Sequence, residues 1–591
     1  GNLNASAVWS PMFRSAANEE LLAKGWQVMI DPLKTNAAGA YDPNGINREI
    51  IYKDFNYADY ALRDYSLTQD YNVSMTGGNE KGKYYAGLGS YDEKGMPINT
   101  FYKRLTFVLN GEYKVKPWLT SISGLNFANA KWRDAINAEG NYLTRALGAP
   151  PTMRGMNENG DLLVGRDYLD GNPAVNDDKF IRNNNTDKFT LSQAFKVDFL
   201  KNLSLRVSGN YFFNNGNYES FNRDFLSSPG NYNRTRASSA SFDKALSQTY
   251  NGVLNYNTNI AGKHHIDAMI GTEYYDIYSQ GLSASGSGAP TDDFSDLALT
   301  NSEKDRRSTD TYHTRQRILS FFGRVNYDYD EKYLLTATLR RDGYSRLLSN
   351  RWGSFPGISV GWNLHKEDFF QSLTPIVNTL KIRASYGANG NVSDDFIGAY
   401  TLQGSYGANK YNSSIGYLLG NIPNPNLRWE SLITKEIGLE TRLLNKIDLS
   451  VAYYHRTTSD KIASLTFPVT AGITSITTNN GDMQNQGVEV DLNYNVWRKK
   501  DWNVNFNFNI AYNANKILKL PNNGLENNRQ GGFQVYDPTT KQLVWVGGLQ
   551  EGQDPNIAYA YQAKGIIRTQ ADLDAYASSS FVDLIGARRL V

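Results

Sequence analysis

Cysteine is absent from all 591 residues, which excludes disulfides and thiolate metal centres. Long hydrophobic runs are absent too. No stretch approaches the roughly 18 consecutive apolar residues that a membrane-spanning helix requires, and a mean hydropathy of −0.53 would pass for a soluble protein. Charge of one sign is not in excess: 61 basic against 59 acidic residues leave a net charge of +2. With no basic cluster, nucleic acid is excluded as a natural partner. No Pro-rich spacer, charge block or low-complexity tract divides the chain, although its length would ordinarily suggest several domains. Residue 1 is Gly, with no basic region followed by an apolar one. The expectation is therefore a chain that starts inside a mature protein. It also stops within an unfinished strand pattern, at residues 587–591.

What is present is alternation. Residues 502–513 read WNVNFNFNIAYN. Trp502, Val504, Phe506, Phe508, Ile510 and Tyr512 fall on one parity, and Asn503, Asn505, Asn507 and Asn509 on the other. A strand sends successive side chains to opposite faces, so this segment has one apolar and one polar face, with aromatics at both ends. Leu105, Phe107 and Leu109 repeat the pattern, as do Leu319, Phe321 and Val325, and Leu380, Ile382 and Ala384. The opposite parity carries residues such as Thr336, Thr338 and Arg340, or Lys381, Arg383 and Ser385. Alternating segments of about ten residues, apolar outside and polar inside, are what transmembrane barrel strands require, and hydropathy cannot see them.

The connections are of two kinds in turn. Short polar turns fall at residues 78–83, 116–118, 200–202, 261–263, 330–332, 445–446 and 499–501, with a less regular one at 367–378. Long stretches rich in Gly, Asn, Ser and Pro fall at 130–186, 214–246, 282–312, 388–430 and 516–555. Short turns at one end and long loops at the other is the outer-membrane pattern, with the short turns periplasmic. The fold class is all-β, a large antiparallel transmembrane barrel. About 16 strands in eight hairpins are expected on the alternating pattern, and residues 557–567 are read as opening another.

Several runs then carry a family resemblance. RDGYSRLLSNRWGSFPGISVGWNLHKEDFF (341–370), LKIRASYGANGN (380–391), NPNLRWES (424–431), GITSITTNNGDMQNQGVEVDL (472–492) and AYQAKGIIRTQADLDAY (560–576) occur in order. QDYNVSMTGGNEKGKYYAGLGSYDEKGM (69–96) precedes them. Together they resemble SusC/RagA-type TonB-dependent outer-membrane transporters of Bacteroidetes. The resemblance implies a 22-stranded barrel filled by an N-terminal plug, and active import of nutrient oligomers, glycan or oligopeptide. It also implies energy from the TonB–ExbB–ExbD complex, a SusD-like lid lipoprotein, and an outer membrane of lipid and lipopolysaccharide. Against that pattern the plug and the last strands are not present. Residues 1–68 are expected to be a plug-to-barrel transition in which AANEELLAKGW (16–26) forms a short helix, and 69–591 an incomplete barrel.

Two sets of candidate residues follow. Arg340, Asp342, Arg383, Asp448, Asn503, Asn505 and Asn507 are expected to face the lumen or plug; a merely solvated interior is the plainer account of each. Trp132, Tyr168, Tyr232, Tyr411 and Tyr417, in long stretches, are candidates for stacking on sugars or gripping peptides, against a role in loop packing or lid contact. Gly343, Gly353, Gly357 and Gly361 suit bends and close approach in a curved sheet. Residues 157–161 only faintly resemble a calcium loop, lacking its closing Glu. His264 and His265 fall on opposite faces of one strand, and His313, His365 and His455 stand alone, so no metal spacing exists. Neither a nucleophile elbow nor a phosphate-binding loop is found. The chain is read as a non-enzyme without cofactor or metal. A passive porin and a soluble all-β carbohydrate-binding or hydrolytic protein are the alternatives. A plug domain in the full gene separates the first, and detergent dependence the second.

Overall fold

In the computed structural model, residues 12–37, 42–134, 146–148, 151, 156–157, 163, 178–228, 231–393, 397–398, 400–411, 414–467, 470, 475–537, 540–559, 566 and 569–577 are described. The alternating segments become one antiparallel sheet of sixteen strands. In chain order these are β1 (Thr68–Gly78), β2 (Gly82–Lys94), β3 (Phe101–Lys116), β4 (Leu119–Arg133), β5 (Phe180–Leu200), β6 (Leu203–Asn222), β7 (Ser238–Ile260) and β8 (His264–Gly286). They continue as β9 (Arg307–Tyr329), β10 (Tyr333–Tyr344), β11 (Trp352–Asn363), β12 (Val377–Asn391), β13 (Glu430–Leu443), β14 (Ile447–Ser459), β15 (Asp482–Lys499) and β16 (Trp502–Lys519). Each strand pairs with its sequence neighbours in a simple meander, so the eight expected hairpins are all present.

The short turns are tight because residues in the left-handed region make them so. Asp330 and Glu331 have φ of 54° and 53°, and Leu444 and Asn445 have 54° and 55°. Two successive positive φ values define the type I′ turn, whose twist matches that of the strands it joins. Neither pair contains glycine, the usual residue there, so each turn carries some backbone strain.

Register keeps like faces together. Across β15 and β16, Phe506 lies opposite Tyr494, Phe508 opposite Leu492 and Ile510 opposite Val490, while Asn507 lies opposite Asn493 and Asn509 opposite Asp491. A slip of one residue would exchange the two faces wholesale. The apolar face is the solvent-facing one: Leu339, Ile358, Val360, Phe506 and Ile510 are all exposed. In a soluble protein such a patch would be an aggregation hazard. In a bilayer it is the required surface.

Aromatic rings bound that face at both ends. Tyr329, Tyr333, Trp362 and Phe369 form a chain of ring contacts with centroids 6.3, 6.4 and 6.5 Å apart at the short-turn end. Phe321 stacks on Trp352 at 6.2 Å at the other. Trp352 and Trp362 share a face ten residues apart, about 33 Å along the strand. At a tilt of about 40° that spans roughly 25 Å of membrane normal, the height of a barrel's apolar band.

By contacts the chain falls into two compact units, Gly1–Val197 with Arg206–Tyr250 and Tyr275–Arg315, and Asp198–Leu205 with Asn251–Tyr274 and Gln316–Val591. In the first, Met12–Phe13, Gln27–Thr35 and Ile46–Tyr52 make a small three-stranded sheet over Leu21, Trp26 and Ile51. Arg14 ties it with bonds of 2.6 Å to Glu19 and 2.8 Å to Glu49. The short helix expected here exists as a single stretch, Glu19–Lys24, of the tighter 3₁₀ type, ended by Gly25 at φ 84°. In the second unit, Tyr344, Leu347, Val392, Ile397, Leu402, Leu427 and Ile462 form a buried cluster above the strand ends.

Two expectations need correction. Residues 214–246 are mostly strand, and β8 and β9 extend only into the two ends of 282–312, because β5 to β9 run for 20 to 23 residues each. Beyond the membrane both strand faces are wet, so alternation fades while pairing continues. The close approach expected at Gly343 and Gly353 is made by aromatic rings: a Cβ on Gly343 would meet the Trp352 ring at 2.9 Å, and one on Gly353 the Phe355 ring at 2.4 Å. They are seats for aromatic rings. Residues 557–559 are not strand, and most of the rest of that segment, like most of 157–161, lies outside the described residues.

Candidate functional site

Parity puts most charged residues of β8 to β16, Arg341 among the exceptions, on the face opposite the apolar one, where register then pairs them. Arg340 on β10 is the hub of one group. Its Nε donates to Asp342 Oδ1 at 2.8 Å, and its Nη2 donates to Glu273 Oε1 at 3.2 Å and to Ser320 Oγ at 2.8 Å. Its guanidinium also lies 5.5 Å over the Phe322 ring, and Ser320 is fully buried. Arg340 and Asp342 are therefore held by side-chain partners.

A second group spans β12 to β16. Arg383 Nε donates to Glu440 at 2.9 Å and pairs with Glu436 as well, while Lys381 lies 3.4 Å from Glu440. Asp448 sits 3.3 Å from Arg442. Lys381, Glu440, Asp448, Asp491, Asn493 and Asn507 line a concavity of about 450 Å³. Asn495 Nδ2 donates to Asn503 Oδ1 at 3.2 Å and to Asn505 Oδ1 at 2.9 Å. Asp448 and Asn507 thus share one recess, and Arg383 reaches it through Glu440. Arg340 and Asp342 belong to the separate group.

The acidic partners Glu273, Glu436 and Glu440, and the recess-lining Asp491, were missed at the sequence level. Hairpin turns reveal which residues face each other across β13 and β14, but β12 and β13 are joined by a long loop that hides their register. Parity alone marked these residues as polar-face, without naming their partners.

The aromatic candidates are dispersed. Trp132 is in β4, opposite Asn184, so it belongs to a strand end and not to a loop. Tyr232 is exposed on the ribbon of Phe225–Ser228 and Asn231–Asn233, with Arg234 5.9 Å over its ring. Tyr417 is exposed on the ribbon of Ser405–Tyr411 and Ser414–Asn421. Tyr411 ends the first strand of that ribbon, and Tyr168 lies outside the described residues.

At the short-turn end, the Trp362 indole donates to Glu367 Oε1 at 3.0 Å, and Lys332 lies 3.5 Å from Oε2. Hydrogen bonds from Tyr333 and Trp362 hold the Glu367 carboxyl below its ordinary value, helped by Lys332 and opposed by desolvation. At the other end, Glu430 is buried and accepts from the Ile462 amide at 2.7 Å and from Asn391 Nδ2 at 2.8 Å. Among the described residues, no three His, Asp or Glu side chains are grouped to hold a metal ion.

A lipid-type outer face, eight hairpins and a charged inner face describe an outer-membrane barrel, and a family comparison decides which kind. Residues 138–541 match the family described as TonB dependent receptor-like, beta-barrel. The chain belongs to that family. TonB-dependent receptor barrels are receptors and transporters of the Gram-negative outer membrane, and this barrel is placed there with them. TonB-dependent receptor P39 of Formosa agariphila is 25% identical over 548 residues, 90% of this chain and 49% of the relative. TonB-dependent receptor SusC of Bacteroides thetaiotaomicron is 28% identical over 495 residues, 77% of this chain and 47% of the relative. The chain thus spans about half the length of the curated relatives it matches. The solved structure of the RagAB peptide transporter shares the fold at a TM-score of 0.70 and 24% identity, over 84% of this chain and 55% of that one.

Proposed function

We propose that this TonB-dependent receptor barrel belongs to an active importer of nutrient oligomers, glycan or oligopeptide. It is energised by the TonB–ExbB–ExbD complex and capped by a SusD-like lipoprotein. Residues 1–68 then lead from a plug into the barrel wall, and the loop-borne tyrosines meet cargo or lid. The observation that carries this reading is the polar face. Arg340, Arg383, Glu436, Glu440 and Asp448 are organised by side-chain pairing across neighbouring strands. A surface of fixed, mutually paired charges can hold a folded plug by hydrogen bonds that exchange when the plug shifts. The likeness to SusC and to the RagAB peptide transporter points the same way.

Uptake of labelled oligosaccharides and oligopeptides by cells that carry the full gene tests it. Import of one class should stop when the gene is deleted and also when TonB is deleted, and a SusD-like lipoprotein should co-purify. Import that survives loss of TonB would make the protein a porin, and the reading would fail.

A further inference from the structure

The outer face carries one feature that cargo transport does not use. On β9 and β10 the outward residues pair as Phe321 with Arg341, Gly323 with Leu339, and Val325 with Ala337. Small residues sit where the apolar band should be bulky, and they leave a hollow of about 960 Å³ lined by Leu254, Ile270, Phe321, Val325 and Leu339, with Arg341 at its rim. The glycines are not forced by packing. A Cβ on Gly252 would meet nothing within 4 Å, and one on Gly323 only Met269 O at 3.5 Å and Ile270 Cγ2 at 3.7 Å, which are ordinary contacts. Glycine inside a strand is destabilising by roughly 0.5–1 kcal/mol relative to alanine, and one without a steric reason often marks close approach by a ligand.

Arg341 adds charge. It is exposed on the lipid side, with its guanidinium 5.4 Å over the Trp352 ring. That contact uses one face of the guanidinium. Its N–H edge makes no hydrogen bond or ion pair within the protein among the described residues. Arg341 is eight residues above Tyr333 on the same face, about 26 Å along the strand and roughly 20 Å along the normal. This is the level of the loop-side aromatic belt, where a long cationic side chain can reach headgroups. The loop side faces the outer leaflet.

We propose that the hollow seats an acyl chain of a phosphorylated outer-leaflet glycolipid, with its phosphate on the N–H edge of Arg341. An arginine fork matches phosphate oxygens in a bidentate way, Trp352 fixes its plane, and the glycine-lined hollow takes the chain below. The site is independent of which cargo crosses the barrel.

Native mass spectrometry of the full-length protein in detergent, titrated with bisphosphorylated lipid A, tests this, with heat-modifiable gel mobility reporting folding. Wild type should retain one lipid A. Arg341→Gln should bind about tenfold more weakly, the typical effect of losing a charged hydrogen bond, and Arg341→Lys should recover part of the loss. Dephosphorylated lipid A on wild type should match lipid A on Arg341→Gln. Gly323→Leu, which fills the hollow and keeps the charge, should also weaken binding; Arg341→Gln remains decisive if that variant does not fold. Equal retention by wild type and Arg341→Gln would overturn the proposal. So would equally strong retention of phosphatidylglycerol, since the hollow would then take any anionic lipid.

Discussion

Phe506 and Asn507 are neighbours in sequence with opposite surroundings. Phe506 stands on the apolar face opposite Tyr494, and Asn507 on the polar face opposite Asn493. Phe506 is four residues from Trp502, about 13 Å along the strand and so near the middle of the apolar band. A cation there costs about 2–4 kcal/mol, falling toward zero at the interfaces. Phe506→Arg should therefore lose that much in folding titrations into lipid vesicles, while Asn507→Arg stays within about 1 kcal/mol. Equal losses would refute the assignment of faces. At this scale the sequence is highly legible, because parity is a local property that only a bulge breaks, as between Asn495 and Trp497.

Elements are legible where a short turn joins them and obscure where a loop does. The turns at 330–332 and 445–446 fix both the presence and the register of their hairpins. The ribbon Ile462–Thr466 with Ser475–Asn479 has only five residues a side, and the cluster around Leu347 gathers residues far apart in sequence; neither has a period to betray it. Glu430 is the link: it binds the Ile462 amide at the ribbon's start. Glu430→Ala should leave that buried amide unpaired, at a cost of about 1–3 kcal/mol. Limited proteolysis should then cut within residues 462–479 sooner than in wild type. Unchanged cleavage would remove Glu430 from that role.

The short-turn end supplies a pH test at the same scale. Glu367 has a lowered native value, so its stabilising contribution is fully present above its ordinary value of 4.5. It is lost as pH falls through the lowered native value. Wild type should lose unfolding temperature on acidification below about 4.5 more steeply than Glu367→Gln, since only the carboxylate form is favoured by the Tyr333, Trp362 and Lys332 contacts. Parallel acid profiles would show that Glu367 does not anchor this end.

For the whole molecule, membership in the TonB-dependent receptor family was readable because ordered signature runs accompany the hairpins, although each run alone is ambiguous. Strand length was not readable. Strands β5 to β9 reach 20 to 23 residues, about 70 Å each, more than twice what the apolar band needs. The paired walls therefore continue far past the bilayer on the loop side. A floppy collar of the same composition would have to become ordered each time a cargo or lid arrived, at roughly 1–2 kcal/mol per residue fixed. Here that ordering is completed once, when the sheet forms. Encounters at the rim then meet a stiff surface, whose selectivity rests on which side chains project from it and less on how far its backbone can bend.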